Sequence, residues 1–166
     1  IRFEDRVTLL GDGKLGLLIA QALKGKCRLV VIGRHRERRD LVEKWGIDFL
    51  SDSGTEPLRK LSDVVVDATG SSNGFALAQQ IVRPQGTIVL KTTCAGRPRI
   101  DLARVVIDEV TVIGSRCGPF KPAMEALAQK KIDVRSLIEE IFPLKKGKEA
   151  FIKAAKRGVL KVLLKP

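Results

Sequence analysis

Short apolar runs alternate with amphipathic stretches along most of the chain, and glycine, proline or polar residues separate them. Apolar runs bounded in this way are typical of strands buried in a parallel sheet, and apolar residues at helical spacing are typical of amphipathic helices. The pattern predicts strands at residues 7–10, 28–33, 47–50, 64–66, 87–92 and 110–114. It predicts helices that begin near residue 15 and then cover 37–45, 73–82 and 101–107. This alternation favours an α/β fold, with a parallel sheet doubly wound by helices on both faces.

The C-terminal part of the chain is less regular. Its pattern predicts helices at residues 119–131 and 145–157 and short strands at 137–144 and 159–164. We therefore expect a sheet domain at residues 1–116 and a C-terminal segment at 117–166 that packs on it.

Three glycines follow the first predicted strand at G-x-G-x-x-G spacing, Gly11, Gly13 and Gly16. Between a strand and a helix, this spacing allows a sharp turn, leaves room for a pyrophosphate against the backbone and lets the helix lie close to the strand. The first amides of the helix then point at the phosphates. Apolar residues at helical spacing support a helix here, namely Leu15, Leu18, Ile19, Ala22 and Leu23. The motif predicts a Rossmann-type dinucleotide-binding sheet with strand order 3-2-1-4-5-6, and a plain structural β–α–β unit is the alternative.

The end of the second predicted strand indicates which dinucleotide is bound. NAD-binding sheets carry an acidic residue there for the ribose hydroxyls, whereas this chain has Gly33 followed by a basic run. Guanidinium groups bind a 2′-phosphate strongly, and cations at a helix N-terminus otherwise oppose the helix dipole. We therefore predict that the chain binds NADP, and NAD stays the alternative. Arg34 and His35 would contact the 2′-phosphate, and Arg38 would lie behind them. An exposed loop position is the alternative for His35.

Composition narrows the possible partners. The net charge of +12 indicates an anionic partner, and the phosphates of a cofactor would be such a partner. Only 4% of the residues are aromatic and Tyr is absent, so a surface that stacks on nucleic-acid bases is not expected. No apolar run approaches the length of about 20 residues that spans a bilayer, and no secretory signal pattern is present, so we expect a cytoplasmic protein and no membrane partner. The three cysteines are far apart, which predicts reduced thiols rather than a zinc site or disulfide framework.

Beyond the glycine motif, several segments resemble one enzyme family in order and spacing. They are LLGDGKLGLL at 9–18, VVDATG at 65–70, GTIVL at 86–90, VIGS at 112–115, FIKAA at 151–155 and GVLKVLLK at 158–165. With them the chain resembles the coenzyme-binding half of the zinc-containing medium-chain alcohol, polyol and threonine dehydrogenases. The resemblance implies hydride transfer between a small alcohol substrate and the nicotinamide, with a catalytic zinc polarising the substrate oxygen. A short-chain dehydrogenase would need a Tyr-x-x-x-Lys pair, which a chain without Tyr lacks.

The resemblance also implies roles for individual residues. The amides of Lys14 and Leu15 would bind the pyrophosphate, Thr69 and Thr92 would face the nicotinamide ribose and ring, and Gly114 and Ser115 would lie by the carboxamide. Lys161 would reach the phosphates, although an exposed lysine is an equal alternative. The strand at 110–114 would pair across a homodimer axis. The full predicted cofactor-binding set is Gly11, Asp12, Gly13, Lys14, Leu15, Gly16, Gly33, Arg34, His35, Arg38, Thr69, Gly70, Thr92, Gly114, Ser115 and Lys161.

The chain departs from the family in one respect. The family's zinc ligands, proton relay and most of its substrate pocket belong to an N-terminal domain, and this sequence begins only a few residues before the first strand. We therefore expect a fragment without catalytic or metal-binding residues, inactive alone, whose segment 117–166 belongs partly to the absent catalytic domain and exposes apolar surface. A free-standing regulatory Rossmann module that senses dinucleotides is the rival hypothesis.

Overall fold

A computed structural model describes residues 1–94 and 100–166. The sequence also predicts that residues 92–95 lie beyond the carboxyl ends of the strands, where a ligand would bind, and the last of them, Ala95, lies outside the described residues. The chain divides into two compact units, Ile1–Gly118 and Pro119–Pro166. From the sequence we predict that the dinucleotide-binding domain ends after residue 116, and this functional boundary stays a prediction.

The first unit is built on a parallel sheet. The described strands are ordered β3-β2-β1-β4-β5-β6, which confirms the predicted fold class and strand order. After β3 the chain returns to the other side of β1, so the strand order reverses between β1 and β4, where sheets of this type bind ligands. The strands are β1 (Arg6–Leu10), β2 (Arg28–Gly33), β3 (Asp48–Ser51), β4 (Ser62–Asp67), β5 (Val82–Leu90) and β6 (Thr111–Gly114).

Helices connect these strands, and two short 3₁₀ turns, Asp52–Gly54 and Glu56–Leu58, lie between β3 and β4. The short helix before β6 begins as predicted, because the Asp101 carboxylate accepts a hydrogen bond from the Ala103 N–H and caps its first turn. The helices are α1 (Lys14–Leu23), α2 (Arg36–Lys44), α3 (Gly74–Ile81) and α4 (Leu102–Ile107).

The core of the first unit lies between the sheet and its helices. Central strand residues such as Leu9, Val31, Val65 and Ile88 are fully buried. Burial of one such side chain stabilises the fold by about 1.5–3 kcal/mol. The central strands are therefore held in position, and with them the loops that follow their carboxyl ends. On one face the buried cluster consists of Leu10, Ile32, Val65, Phe75, Ala78, Ile81, Val82, Ile88 and Val110.

Two local features differ from the pattern-based expectation. Helix α1 buries Gly16, Leu17 and Ala20 rather than the predicted face, and Leu15 is 42% exposed. Gly16 and Ala20 set the buried face of α1, because a helix approaches a strand most closely where its side chains are small. Strand β5 begins at Val82 and includes Pro84, where a helix end was expected. The pairing with β4 is irregular over this stretch, which tolerates a proline without an N–H donor.

The second unit contains helix α5 (Phe120–Ala128), strand β7 (Ile138–Pro143), helix α6 (Gly147–Ala154) and strand β8 (Lys161–Lys165). Strands β7 and β8 pair in parallel. Helix α5 has no buried residue, and Phe120 is 79% exposed. Within residues 1–94 and 100–166, no helix has both the length and the apolar character needed to cross a bilayer.

Candidate dinucleotide-binding site

The turn between β1 and α1 is built on two glycines whose side-chain space is already filled. Gly11 has a φ of +106°, and a Cβ there would lie 2.7 Å from the Ala68 carbonyl oxygen. A Cβ on Gly16 would overlap the Gly11 carbonyl oxygen. The Gly11 N–H also donates to the Ile32 carbonyl oxygen at 2.8 Å, which ties the turn to β2. Packing against the backbone therefore requires glycine at both positions.

Gly13 is different, because no atom of the described residues lies within 4 Å of where its Cβ would be. Its backbone is extended, at φ −75° and ψ −177°, a conformation open to any residue. Gly13 is also the N-cap of α1, and among the residues that the structure describes no side chain caps this end of the helix. The first amides of α1, including those of the exposed Lys14 and Leu15, therefore begin beside open space, where a helix N-terminus attracts an anion.

A buried carboxylate joins the turn to the loop after β2. Asp12 is 5% exposed, and its Oδ2 accepts hydrogen bonds from the backbone N–H groups of Arg34, at 2.9 Å, and His35, at 2.8 Å. The His35 ring lies against the same group, with Nδ1 2.9 Å from Oδ1. A Cβ on Gly33 would lie 2.5 Å from Oδ2 of Asp12. The carboxylate therefore fills the space that a side chain at the end of β2 would need.

The basic side chains of this loop have partners within the protein. Arg34 donates its Nε to the Asp52 carboxylate at 2.7 Å, and both side chains are substantially exposed. Arg38 is 6% exposed and donates its Nη1 to the main-chain oxygen of Asp12 at 2.8 Å. Asp12 and Asp52 thus offset part of the positive charge near the start of α2, a compensation that the spacing of the basic run did not indicate.

A second buried carboxylate organises the ends of β4 and β5. Asp67 is 2% exposed, and its Oδ1 accepts hydrogen bonds from the N–H of Thr69 at 3.0 Å and from the hydroxyl groups of Thr69 and Thr92, both at 2.8 Å. The Thr92 oxygen in turn accepts the Gly70 N–H at 3.1 Å. Asp67 therefore brings Thr69, Gly70 and Thr92 together, while their role toward the nicotinamide stays a prediction. The motif VVDATG contains Asp67 but does not show which later residue it binds.

The rim formed by the carboxyl ends of the strands continues to the end of β6. The Ser115 N–H donates to the Leu90 carbonyl oxygen at 3.0 Å, and Gly114 is exposed. Lys91, which the sequence did not single out, donates its Nζ to the Ser115 hydroxyl at 3.3 Å and to the Arg116 carbonyl oxygen at 3.1 Å. Lys161 is exposed at the start of β8 in the second unit, and its predicted phosphate contact stays a prediction.

Comparisons with known proteins agree with this arrangement. A family model described as zinc-binding dehydrogenase matches residues 13–130, most of the chain. The chain belongs to the zinc-binding dehydrogenase family.

Sequence relatives of this dehydrogenase domain include mouse sorbitol dehydrogenase, 29% identical over 97% of this chain and 49% of the relative. D-arabitol-phosphate dehydrogenase of Enterococcus avium is 26% identical over 99% of this chain and 51% of the relative. The chain thus spans about half the length of the curated relatives it matches.

Solved structures share the fold of this dehydrogenase domain. A zinc-binding dehydrogenase of Sinorhizobium meliloti bound to NADP superposes with a TM-score of 0.86, at 23% identity, over 100% of this chain and 54% of that one. L-idonate 5-dehydrogenase of Escherichia coli superposes with a TM-score of 0.87, at 21% identity, over 98% of this chain and 50% of that one.

The described residues of this chain do not fit a zinc site. Within residues 1–94 and 100–166, no group of three or more His, Cys, Asp or Glu side chains is placed to hold a metal ion. The cysteines are free thiols, and burial, with the nearby Asp5 charge, raises the pKa of Cys27. The turn beside Gly13, in contrast, suits a phosphate of a dinucleotide, because no described side chain caps its helix amides and no described atom lies within 4 Å of a Cβ placed on Gly13.

One carboxylate lies at the opposite edge of the sheet, near the start of β4. Asp63 accepts hydrogen bonds from Nε of Arg83 at 2.7 Å and from the N–H of Arg6 at 2.8 Å. The Arg83 hydrogen bond, followed by that of Arg6, holds the pKa of Asp63 below its ordinary value. The Asp63 carboxylate resembles that of Asp12 in accepting the backbone N–H of an arginine, and it is remote from the glycine turn.

Proposed function

We propose that this chain is the NADP-binding domain of a zinc-dependent alcohol or polyol oxidoreductase, in which hydride passes between an alcohol carbon and the nicotinamide. The observation that carries the proposal is the contrast among the three motif glycines. Backbone atoms occupy the side-chain space of Gly11 and Gly16, whereas the space beside Gly13 is open. An open position between two closed ones, at an uncapped helix N-terminus, is the form that a pyrophosphate requires.

The cofactor, when bound, supplies or accepts the hydride, and the chain's residues bind and orient it. The amides of Lys14 and Leu15 would bind the pyrophosphate. Thr69 and Thr92, which Asp67 holds together, would face the nicotinamide end, with Gly114 and Ser115 further along the same rim. Two rigid carboxylate-centred networks, around Asp12 and Asp67, would thus position opposite ends of one extended ligand.

The preference for NADP is supported by the loop after β2. Gly33 presents no acidic side chain, and the Arg34 hydrogen bond to Asp52 uses one of five guanidinium N–H groups. His35 uses Nδ1 toward Asp12, which leaves Nε2 for a second partner. The likeness to the Sinorhizobium meliloti protein, which is bound to NADP, agrees with this proposal. NAD stays the alternative, because Asp12 and Asp52 already offset part of the local positive charge.

The whole enzyme's activity extends the proposal beyond this chain. The sequence relatives include a sorbitol dehydrogenase and a D-arabitol-phosphate dehydrogenase, so we propose a small alcohol or polyol as the substrate. The zinc and its ligands would belong to the other half of such an enzyme, and this chain alone would bind cofactor without turnover.

A homodimer and a cytoplasmic location are further parts of the proposal. Strand β6 is an edge strand of the sheet and all four of its residues are exposed, with Val112 at 39% and Ile113 at 47%. An exposed apolar edge favours pairing with a second strand. Sedimentation measurements of wild type and of an Ile113→Lys variant test the dimer, and cell fractionation tests the location.

Titration of the chain with NADPH and with NADH, followed by fluorescence, tests the cofactor proposal. We expect tighter binding of NADPH, and Arg34→Ala should reduce that preference by about 10- to 150-fold, because a charge-assisted hydrogen bond contributes about 1.5–3 kcal/mol. Arg39→Ala is the matched control, since both arginines are 56% exposed and bind one carboxylate through Nε. Equal affinity for the two dinucleotides would remove the NADP assignment, and binding of neither would remove the function.

A further inference from the structure

We propose that Asp12 is the positioning residue that sets the preference between NADPH and NADH, an inference that rests on the dinucleotide function proposed above. Asp12 does this by holding the loop after β2 in one conformation. Its place in the motif, between Gly11 and Gly13, does not require a carboxylate, so its charge needs another explanation.

The hydrogen bonds of Asp12 give that explanation. A buried carboxylate is costly unless donors surround it, and the donors to the Asp12 carboxylate come from one short segment. They are the N–H of Arg34, the N–H of His35 and the ring Nδ1 of His35, which lie 22 and 23 positions further along the chain. The carboxylate and the loop therefore stabilise each other's position.

Asp12 also holds the first turn of α2. Its main-chain oxygen accepts the Nη1 of Arg38, a buried side chain that lies one helical turn beyond His35. One residue of the phosphate-binding turn thus fixes the start of the basic loop through its side chain and the following helix through its backbone. Displacement of Asp12 would move Arg34 and His35 together.

The space at Gly33 links this device to cofactor choice. A carboxylate at the end of β2 is the group that binds the ribose hydroxyls of NAD. Here a Cβ on Gly33 would lie 2.5 Å from Oδ2 and 2.6 Å from Cγ of Asp12, so a side chain at Gly33 would displace the Asp12 carboxylate from its present position. Asp12 thus disfavours an acidic residue at position 33, which would favour NADH. The three donors from the loop offset the negative charge of Asp12, which would otherwise repel a 2′-phosphate.

A direct role for Asp12 is the opposite possibility, in which its carboxylate accepts a hydrogen bond from the ribose hydroxyl. The two roles predict opposite signs. If Asp12 positions the loop, Asp12→Asn misaligns Arg34 and His35, and NADPH affinity falls more than NADH affinity. If Asp12 binds the hydroxyl directly, the same change weakens NADH and favours NADPH.

The experiment measures the dissociation constants of NADPH and NADH for the wild-type chain and three variants. We expect Asp12→Asn to lower the NADPH preference about tenfold, the effect of losing one charge-assisted contact. Asp63→Asn is the control, because the Asp63 carboxylate, like that of Asp12, accepts the backbone N–H of an arginine but lies at the other end of the strands. It should leave the preference unchanged even if it lowers the melting temperature.

The third variant exchanges the two positions, Asp12→Gly with Gly33→Asp. It returns the carboxylate to the end of β2 and removes the overlap, so we expect a preference for NADH. Gly33→Asp alone should have a lower melting temperature than the double variant. An unchanged or increased NADPH preference in Asp12→Asn overturns the inference and leaves the proposed function standing. Failure of the wild-type chain to bind either dinucleotide overturns both.

Discussion

The three motif glycines allow stability and binding to be separated experimentally. Gly13→Ala adds a methyl group to open space at an allowed backbone conformation, so the folded chain gains no clash. Alanine in place of glycine restricts the unfolded chain and stabilises by about 0.4–1 kcal/mol, whereas alanine is a poorer N-cap than glycine by a similar amount. The two effects offset each other, and we expect a net change in unfolding free energy within about 1 kcal/mol.

The same methyl group lies where the pyrophosphate would approach the backbone. Overpacking of a close contact costs about 1–3 kcal/mol, which corresponds to about a 5- to 150-fold loss of dinucleotide affinity. Gly16→Ala is the complementary variant. Its Cβ would overlap the Gly11 carbonyl oxygen, so a cost of about 3 kcal/mol is reduced by the roughly 1 kcal/mol that alanine contributes inside a helix, leaving about 2 kcal/mol of destabilisation.

Urea unfolding and NADPH titration of both variants check this reasoning. Gly13→Ala should change the free energy of unfolding by no more than about 1 kcal/mol and lose NADPH affinity, whereas Gly16→Ala should lower the free energy of unfolding by about 2 kcal/mol. A Gly13→Ala variant that binds NADPH as tightly as wild type would refute the idea that the open space at Gly13 is the pyrophosphate position. A Gly13→Ala variant destabilised as much as Gly16→Ala would refute the structural distinction between them.

Three further predictions follow from groups away from the turn. Because the folded-state pKa of Asp63 is lowered, its ionised carboxylate stabilises the fold above the ordinary pKa of about 3.9, and this contribution is lost as the pH falls through the folded-state value. Below about pH 4, the free energy of unfolding of Asp63→Asn, measured in urea, should therefore depend less on pH than that of the wild type. Thr8 and Ser62 share a buried hydrogen bond of 2.7 Å; Thr8→Val should cost about 1–3 kcal/mol, and adding Ser62→Ala should recover part of that loss in a double-mutant cycle. Cys27, whose pKa is raised, should react with iodoacetamide more slowly than the exposed Cys117, as followed by mass spectrometry, and equal rates would contradict the burial of Cys27.

The site could be predicted only in part, and the missing part has a common property. The glycine turn lies within one short segment, so its spacing alone indicates a strand, a tight turn and a helix. The partners of Asp12 lie 22 and 23 positions away, and Thr92 lies 25 positions from Asp67. Nothing in the spacing of these residues shows that their side chains meet, because the meeting depends on how parallel strands bring their carboxyl ends to one edge.

The sequence by itself determined the order of strands and helices, the parallel sheet and the place of the glycine turn, because hydrophobic periodicity and glycine conformation act over a few residues. Only the tertiary structure decided which face of α1 is buried, that the loop after β2 donates hydrogen bonds to Asp12, and that Thr69 and Thr92 both donate to Asp67. These choices follow from packing: the close contact of Gly16 with Gly11 sets the orientation of the helix, and a buried carboxylate binds whichever donors the neighbouring strand ends place beside it.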